Sequence, residues 1–272
     1  FFLNHGGATD GDAARWAYLT GTLVHRDLSV PANYSEFQQY LDIDRFIDYL
    51  IVSWYQAITD WPQNNWYFGN RNASSPLGST PGQYFAWDGE WAWDTAFGYE
   101  PPYGPWVHPL FRKDAGSTFG IAGFWHALRV NSDFMTRFAD RVQRALFNGG
   151  ALTDDNARSR WQALSNSIEL AILGESARWG DALESLGQPT RTRDIHWRTE
   201  VNAIDAILSG GVAAFITALR AEEYFPALDA PVFSQNGGAI RPCRIIGITP
   251  WNSSFMWAMA WWLSPMKMAS PK

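Results

Sequence analysis

Residues 41–57 constrain this chain most. Ile43, Phe46, Ile47, Leu50, Ile51 and Trp54 recur at the i, i+3, i+4, i+7 spacing that puts apolar side chains on one face of an α-helix. Asp42, Asp44, Arg45 and Asp48 fall on the other side. Such a helix must bury its apolar face against a second layer. Pro62 is expected to keep it from running on. Asp60 then sits in a loop behind a rigid element, a favourable place for a catalytic group.

Beyond that loop, Trp66–Phe68 and Tyr84–Trp87 are short aromatic runs flanking residues 70–82, which are turn formers almost throughout. The pattern predicts two antiparallel strands joined by a long loop. The pairing would bring Asn65, just before the first strand, close to Asp88, just after the second. Residues 1–12 are expected to form a loop entering a helix, with Asp10 or Asp12 as its cap. Residues 99–123, rich in Gly and Pro, are expected to form a long ordered loop.

From residue 132 the periodicity is helical. Phe134, Phe138, Val142 and Leu146 form one stripe, ended by Gly149–Gly150. Thr153 with Asp154 and Asp155 is expected to cap the next helix, whose buried stripe would be Trp161, Leu164, Ile168, Ala171 and Ile172. Glu175, Arg178, Trp179 and Asp181 read as a buried ion-pair and Trp element. Val201, Ile204 and Ile207, then Val212, Phe215, Ile216 and Leu219, predict a helix pair broken at Gly210–Gly211 and stopped by Tyr224–Phe225–Pro226. The expected class is mainly α with a small antiparallel β-hairpin.

The chain has 272 residues, 46% of them hydrophobic, enough for a substantial core. It has 16 Trp, more than an ordinary core needs, and core packing is the expected use for most of them. A net charge of −6 without a basic patch argues against nucleic acid as a partner. One cysteine, Cys243, excludes an internal disulfide and a cysteine-based zinc site. The longest apolar run, Phe255 to Leu263, is too short to span a membrane, so no transmembrane segment is expected. After Asp229 no acidic residue occurs, and four Met and four Trp crowd residues 251–268. Two readings stand for this tail, residues 236–272. One is an aromatic segment that docks on a surface; the other is a sequence that is not native, such as a shifted reading frame.

The chemistry concentrates in Asp60, Asn65 and Asp88. An Asp, an Asn five residues on and a further Asp beyond a loop suit phosphoryl transfer: one carboxylate takes a hydroxyl proton, and hard oxygen donors hold Mg²⁺ against phosphates. Plainer roles are open to each. Asp60 could cap the turn at Trp61–Pro62, Asn65 could be a left-handed turn residue, and Asp88 and Glu90 could be solvated charges at a strand end. Asp94, in the echo Trp93–Asp94, competes with Asp88.

The chain resembles the CotH kinase family of atypical protein kinases. The matching blocks are residues 40–50, Asp60–Trp61–Pro62 with Asn65–Trp66–Tyr67, and Phe85–Ala86–Trp87–Asp88–Gly89–Glu90. Further on come Asp133–Phe134 with Arg137–Phe138, residues 147–153, residues 175–181, and Tyr224–Phe225–Pro226. The likeness covers roughly residues 1–235. It implies the C-terminal lobe of a kinase-like fold that transfers the γ-phosphate of ATP to Ser or Thr hydroxyls of a protein, with Mg²⁺ or Mn²⁺. It also implies that Asp60 is the acceptor-orienting base, that Asn65 and Asp88 are metal ligands, and that Glu90 assists the metal. A bacterial surface or secreted setting goes with it.

A kinase also needs a strand lysine on the phosphates and a loop over them. The first lysine here is Lys113, and no phosphate-cradling glycine loop is present. The expectation is therefore a catalytic-loop half whose nucleotide-binding lobe lies upstream in a parent chain, the fragment being inactive alone. Two other functions stand beside it: a non-catalytic kinase-like binding module of a larger protein, and a carbohydrate-active enzyme using the Trp and carboxylate cluster at residues 87–94.

Overall fold

In a computed structural model, residues 1–4, 7–71, 77–89, 91–93, 106–115 and 120–227 are described. Glu90, Asp94 and the tail from residue 236 lie outside the described residues. The molecule is mainly helical, with one small sheet. Strands β1 (Phe2–Asn4), β2 (Gly7–Asp10), β3 (Trp66–Gly69) and β4 (Gln83–Ala86) form it, in the order β2-β1-β3-β4. All pairs are antiparallel. The expected hairpin is thus half of a larger sheet, and the first residues are strands rather than a loop. Phe2 pairs with Gly69 more than sixty positions away. Strands of three and four residues carry too little alternation to reveal such a partner.

Helices α1 (Ala14–Gly21), α2 (Pro31–Phe37) and α3 (Ile43–Tyr55) follow β2. Neither Asp10 nor Asp12 is the cap expected of it: the N-cap position of α1 is Ala13, and Asp12, one residue earlier, accepts the Ala14 backbone N–H in a local turn (2.8 Å). The α3 stripe is buried as its spacing demands, and Asp42 caps the helix by accepting the Arg45 backbone N–H (3.1 Å). The helix stops at Tyr55, well before Pro62. Ala57 turns the chain instead, with φ 48°, outside helical geometry.

Helix α4 (Gly120–Leu128) begins inside the stretch expected to be loop. Its Ile121, Ala122, Phe124, Trp125 and Leu128 are all buried, and a helix apolar nearly all round shows no period. Helix α5 (Ser132–Leu146) buries Phe134, Phe138, Val142 and Leu146 as expected. Its Arg141 reaches back to α3 with a two-pronged ion pair to Asp48 and a second contact to Asp44. The buried Asn131 caps α5 through the Phe134 N–H (3.0 Å) and donates to Leu28 O (2.7 Å).

The core is aromatic, as the composition suggested. Trp54, Trp61, Trp66, Trp106 and Trp125 are buried. Trp54 packs edge-on against Trp125, Phe111 and Phe138.

Helices α6 (Asp154–Trp179), α7 (Arg198–Leu208) and α8 (Gly211–Ala221) complete the fold, with the α7–α8 break where expected. Two expectations for α6 fail. Leu164 is 65% exposed and Ile168 48%, so the apolar stripe is not buried. The helix is held from its flank by α7, through Arg158–Asp205, Arg198–Glu169 and the Trp161 indole on Val201 O. Periodicity gives a face but not its neighbour. Glu175, Arg178 and Asp181 lie on the surface, and Trp179 is half exposed, with the Arg178 guanidinium 5.0 Å from its ring centre. The start of α6 is as expected, with Thr153 at the N-cap and Asp154 and Asp155 in the first turn, though the Thr153 hydroxyl donates to Gly150 O and makes no cap bond.

Candidate functional site

Two elements deliver the site from one anchor. Asp42 begins α3 and Gly82 precedes β4. The Asp42 N–H donates to Gly82 O (2.9 Å), and the Gly82 N–H donates to Tyr40 O (2.8 Å). Gln83 Nε2 donates to the Asp42 carboxylate (3.3 Å). No side chain fits at Gly82, because a Cβ there would fall 1.8 Å from the Phe68 ring. From this anchor α3 leads to the Asp60 loop and β4 leads to Asp88.

The hairpin register settles the second approach. Trp66 pairs with Ala86, so Asn65 and Asp88 emerge at the same end of β3 and β4. Both have left-handed backbones, φ 62° and 53°. Asn and Asp adopt that conformation more readily than most residues. The plainer reading of Asn65 as a left-handed turn residue therefore holds for its backbone, while its side chain does something further.

Asn65 Nδ2 donates to Asp60 Oδ2. The other Asp60 oxygen, Oδ1, is buried with no hydrogen-bond partner among the described residues. Burial pushes the Asp60 carboxyl above the ordinary aspartate range. Its own backbone N–H and Asn65 pull it down, and the negative charge of Asp88 pushes it up again. Asp88 is thus within electrostatic reach of Asp60, and it is itself exposed.

The loop under Asp60 is fixed by its neighbours. Trp61 stacks flat on Phe111 with ring centres 4.9 Å apart, and its indole N–H donates to the Tyr49 hydroxyl. Phe111 O in turn accepts from the Tyr224 hydroxyl (2.6 Å). The Trp61–Pro62 peptide is cis, and Pro62 O accepts the Trp66 indole N–H (3.0 Å). His108 lies edge-on to Trp61, and burial, with Arg112 nearby, pulls its pKa down to about 4.

A helix running into an Asp-bearing loop, an Asn five residues on, and a hairpin returning an Asp to that Asn: these occur here in one chain order. A family model described as CotH kinase protein matches residues 7–206. This chain belongs to the CotH kinase family. Comparison with curated proteins and with solved structures finds no match. The matched span holds the whole α3–loop–hairpin unit and extends into α7.

For a member of the CotH family the donor set fits a hard cation bound with its phosphates. Among the described residues, no three His, Cys, Asp or Glu gather into a protein-only metal cage. Mg²⁺ ordinarily takes one or two protein oxygens plus phosphate and water. An asparagine that gives its N–H₂ to Asp60 still has Oδ1 to offer. Asp88 would supply the charge. Glu90, the fourth residue expected at the site, lies outside the described residues. Also among the described residues, no single helix is long and apolar enough to cross a membrane.

Sequence reading missed the residues that hold this geometry: Gly82, Gln83, and Trp93 beyond Asp88. Their partners are backbone groups or side chains far away in sequence, and no local spacing signals them.

Proposed function

We propose that this CotH-family chain carries the acceptor and metal half of a phosphoryl-transfer site. That site moves the γ-phosphate of ATP to Ser or Thr hydroxyls of a protein. The observation that carries the reading is the Asn65–Asp60 hydrogen bond at the end of the hairpin that also delivers Asp88. Asp60 orients the acceptor hydroxyl and receives its proton. Its raised affinity for a proton suits a base that must pick one up. Asn65 holds Asp60 with its amide nitrogen and offers Oδ1 to Mg²⁺. Asp88, exposed and charged, is the principal ligand. The cation, when bound, neutralises charge on the phosphates.

The experiment is transfer of labelled γ-phosphate from Mg-ATP to a protein acceptor by a protein that contains this chain. Asp60→Asn and Asp88→Ala should each lower transfer by at least about a hundredfold. Undiminished transfer in either variant contradicts the assignment.

A second reading, carbohydrate chemistry, rests on one observation. Phe2, Tyr67, Phe85 and Trp87 form a partly exposed aromatic surface on the sheet, next to Asp88. It would require two carboxyls facing one cleft, about 5–9.5 Å apart. The Asn65 bond to Asp60 favours the kinase reading.

A further inference from the structure

The segment that follows Asp88 folds back on the segment that precedes Asp60. Helix α3 ends at Tyr55, where the Gln56 and Ala57 N–H groups meet Val52 O and Trp54 O, and Tyr55 O and Gln56 O lie past that ladder. Trp93 supplies partners for these two. Its indole N–H donates to Tyr55 O (2.8 Å), and its backbone N–H donates to Gln56 O (2.9 Å). Two residues earlier, Trp91 O accepts both the backbone N–H and the hydroxyl of Thr59, at 3.4 and 3.5 Å. Between these contacts and Asp88, the Ala92 N–H closes a turn onto Gly89 O (3.2 Å). Gly89 lies against Ile58, where a Cβ would make ordinary contact at 3.7 Å.

Asp88 is thus tied on both sides. Before it, β4 is paired to β3 and so to Asn65. After it, the chain is tied to the residues leading into Asp60. Trp93 holds an uncommon left-handed backbone (φ 49°), and its ring packs edge-on against Tyr55. Its conformation is therefore set by this contact rather than by local preference.

We propose that Trp93 is a positioning residue of the site: by closing the end of α3 it fixes where Asp88 stands relative to Asn65 and Asp60. This rests on the metal reading above. It gives the Trp93 half of the Trp93–Asp94 echo a role distinct from ligation.

The test is Trp93→Phe, which keeps an aromatic ring against Tyr55 and removes the N–H donor. It is studied where both proteins are fully folded, with Mn²⁺ as the probe. Mn²⁺ affinity should fall about tenfold, and amide exchange at Thr59 and Ala92 should accelerate at least tenfold while β3 stays protected. Trp93→His, which retains a ring N–H, should recover part of the affinity. Unchanged Mn²⁺ affinity in Trp93→Phe, with Asp88→Ala abolishing binding, overturns the proposal. If Asp88→Ala itself leaves Mn²⁺ binding unchanged, the metal reading fails. Exchange then decides the clasp: faster exchange at Thr59 and Ala92 supports it, and unchanged exchange contradicts it.

Discussion

The Asn65 side-chain amide donates to Asp60 Oδ2, joining the two ends of a six-residue loop that buried Trp61 anchors. Removing the charge at Asp60 should separate stability from function. Burial raises the Asp60 pKa in the folded protein. Its contribution to stability is therefore greatest below the ordinary aspartate value of 3.8 and is lost as pH rises through the folded value. Asp60→Asn should raise the melting temperature at pH 7. The gain should shrink toward pH 4. Thermal unfolding at pH 7 and pH 4 checks this.

Gly82→Ala should be severe, because the new methyl would overlap the Phe68 ring and push apart the α3 and β4 anchor. A loss of about 3 kcal/mol is expected, the upper end of ordinary overpacking. Urea unfolding measures it. Gly82 is not in the left-handed region, so its cost is steric; Gly78, where φ is +74° and a Cβ meets nothing within 4 Å, shows the cost of backbone strain alone.

His108 predicts an acid limb. Its pKa falls from 6.5 to about 4 on folding, through burial and Arg112. A depressed pKa contributes stability above the unfolded value. That contribution is lost as pH falls from 6.5 through about 4. His108→Asn keeps an acceptor for the Leu110 N–H (3.2 Å in the native protein). It should flatten stability across that window by roughly 1–3 kcal/mol. An unchanged slope contradicts the role.

Asn131→Ala removes a helix cap and a buried bond to Leu28 O at once. The expected cost is about 2–3 kcal/mol. Asn131→Asp, which keeps the cap and loses the donor, should cost less at the helix and still release Leu28 O. Chemical denaturation of the pair separates the two terms.

The sequence disclosed what local spacing can encode. Ile43 through Trp54 announced α3, and Trp66–Phe68 with Tyr84–Trp87 announced the hairpin, so the placing of Asn65 and Asp88 at the same end of β3 and β4 was legible. Strands β1 and β2 were not, because Phe2 finds its partner at Gly69. The α6 stripe misled because Leu164 and Ile168 have helical period without a layer among the described residues to cover them. Trp93 was visible only as an echo of Trp87, since its partners are the Tyr55 and Gln56 carbonyls, and backbone atoms leave no mark in a sequence.

The central claim is that Asn65 and Asp88 converge on one divalent cation beside Asp60. Paramagnetic broadening by Mn²⁺, read across the amide spectrum of this chain, tests it directly. The account predicts that the Asn65 side-chain NH₂ and the Asp88 amide broaden first, with Asp60 next, and that Asp88→Ala abolishes the effect. Broadening centred on another acidic group, such as Asp154 and Asp155 at the start of α6, or broadening unchanged in Asp88→Ala, would contradict it.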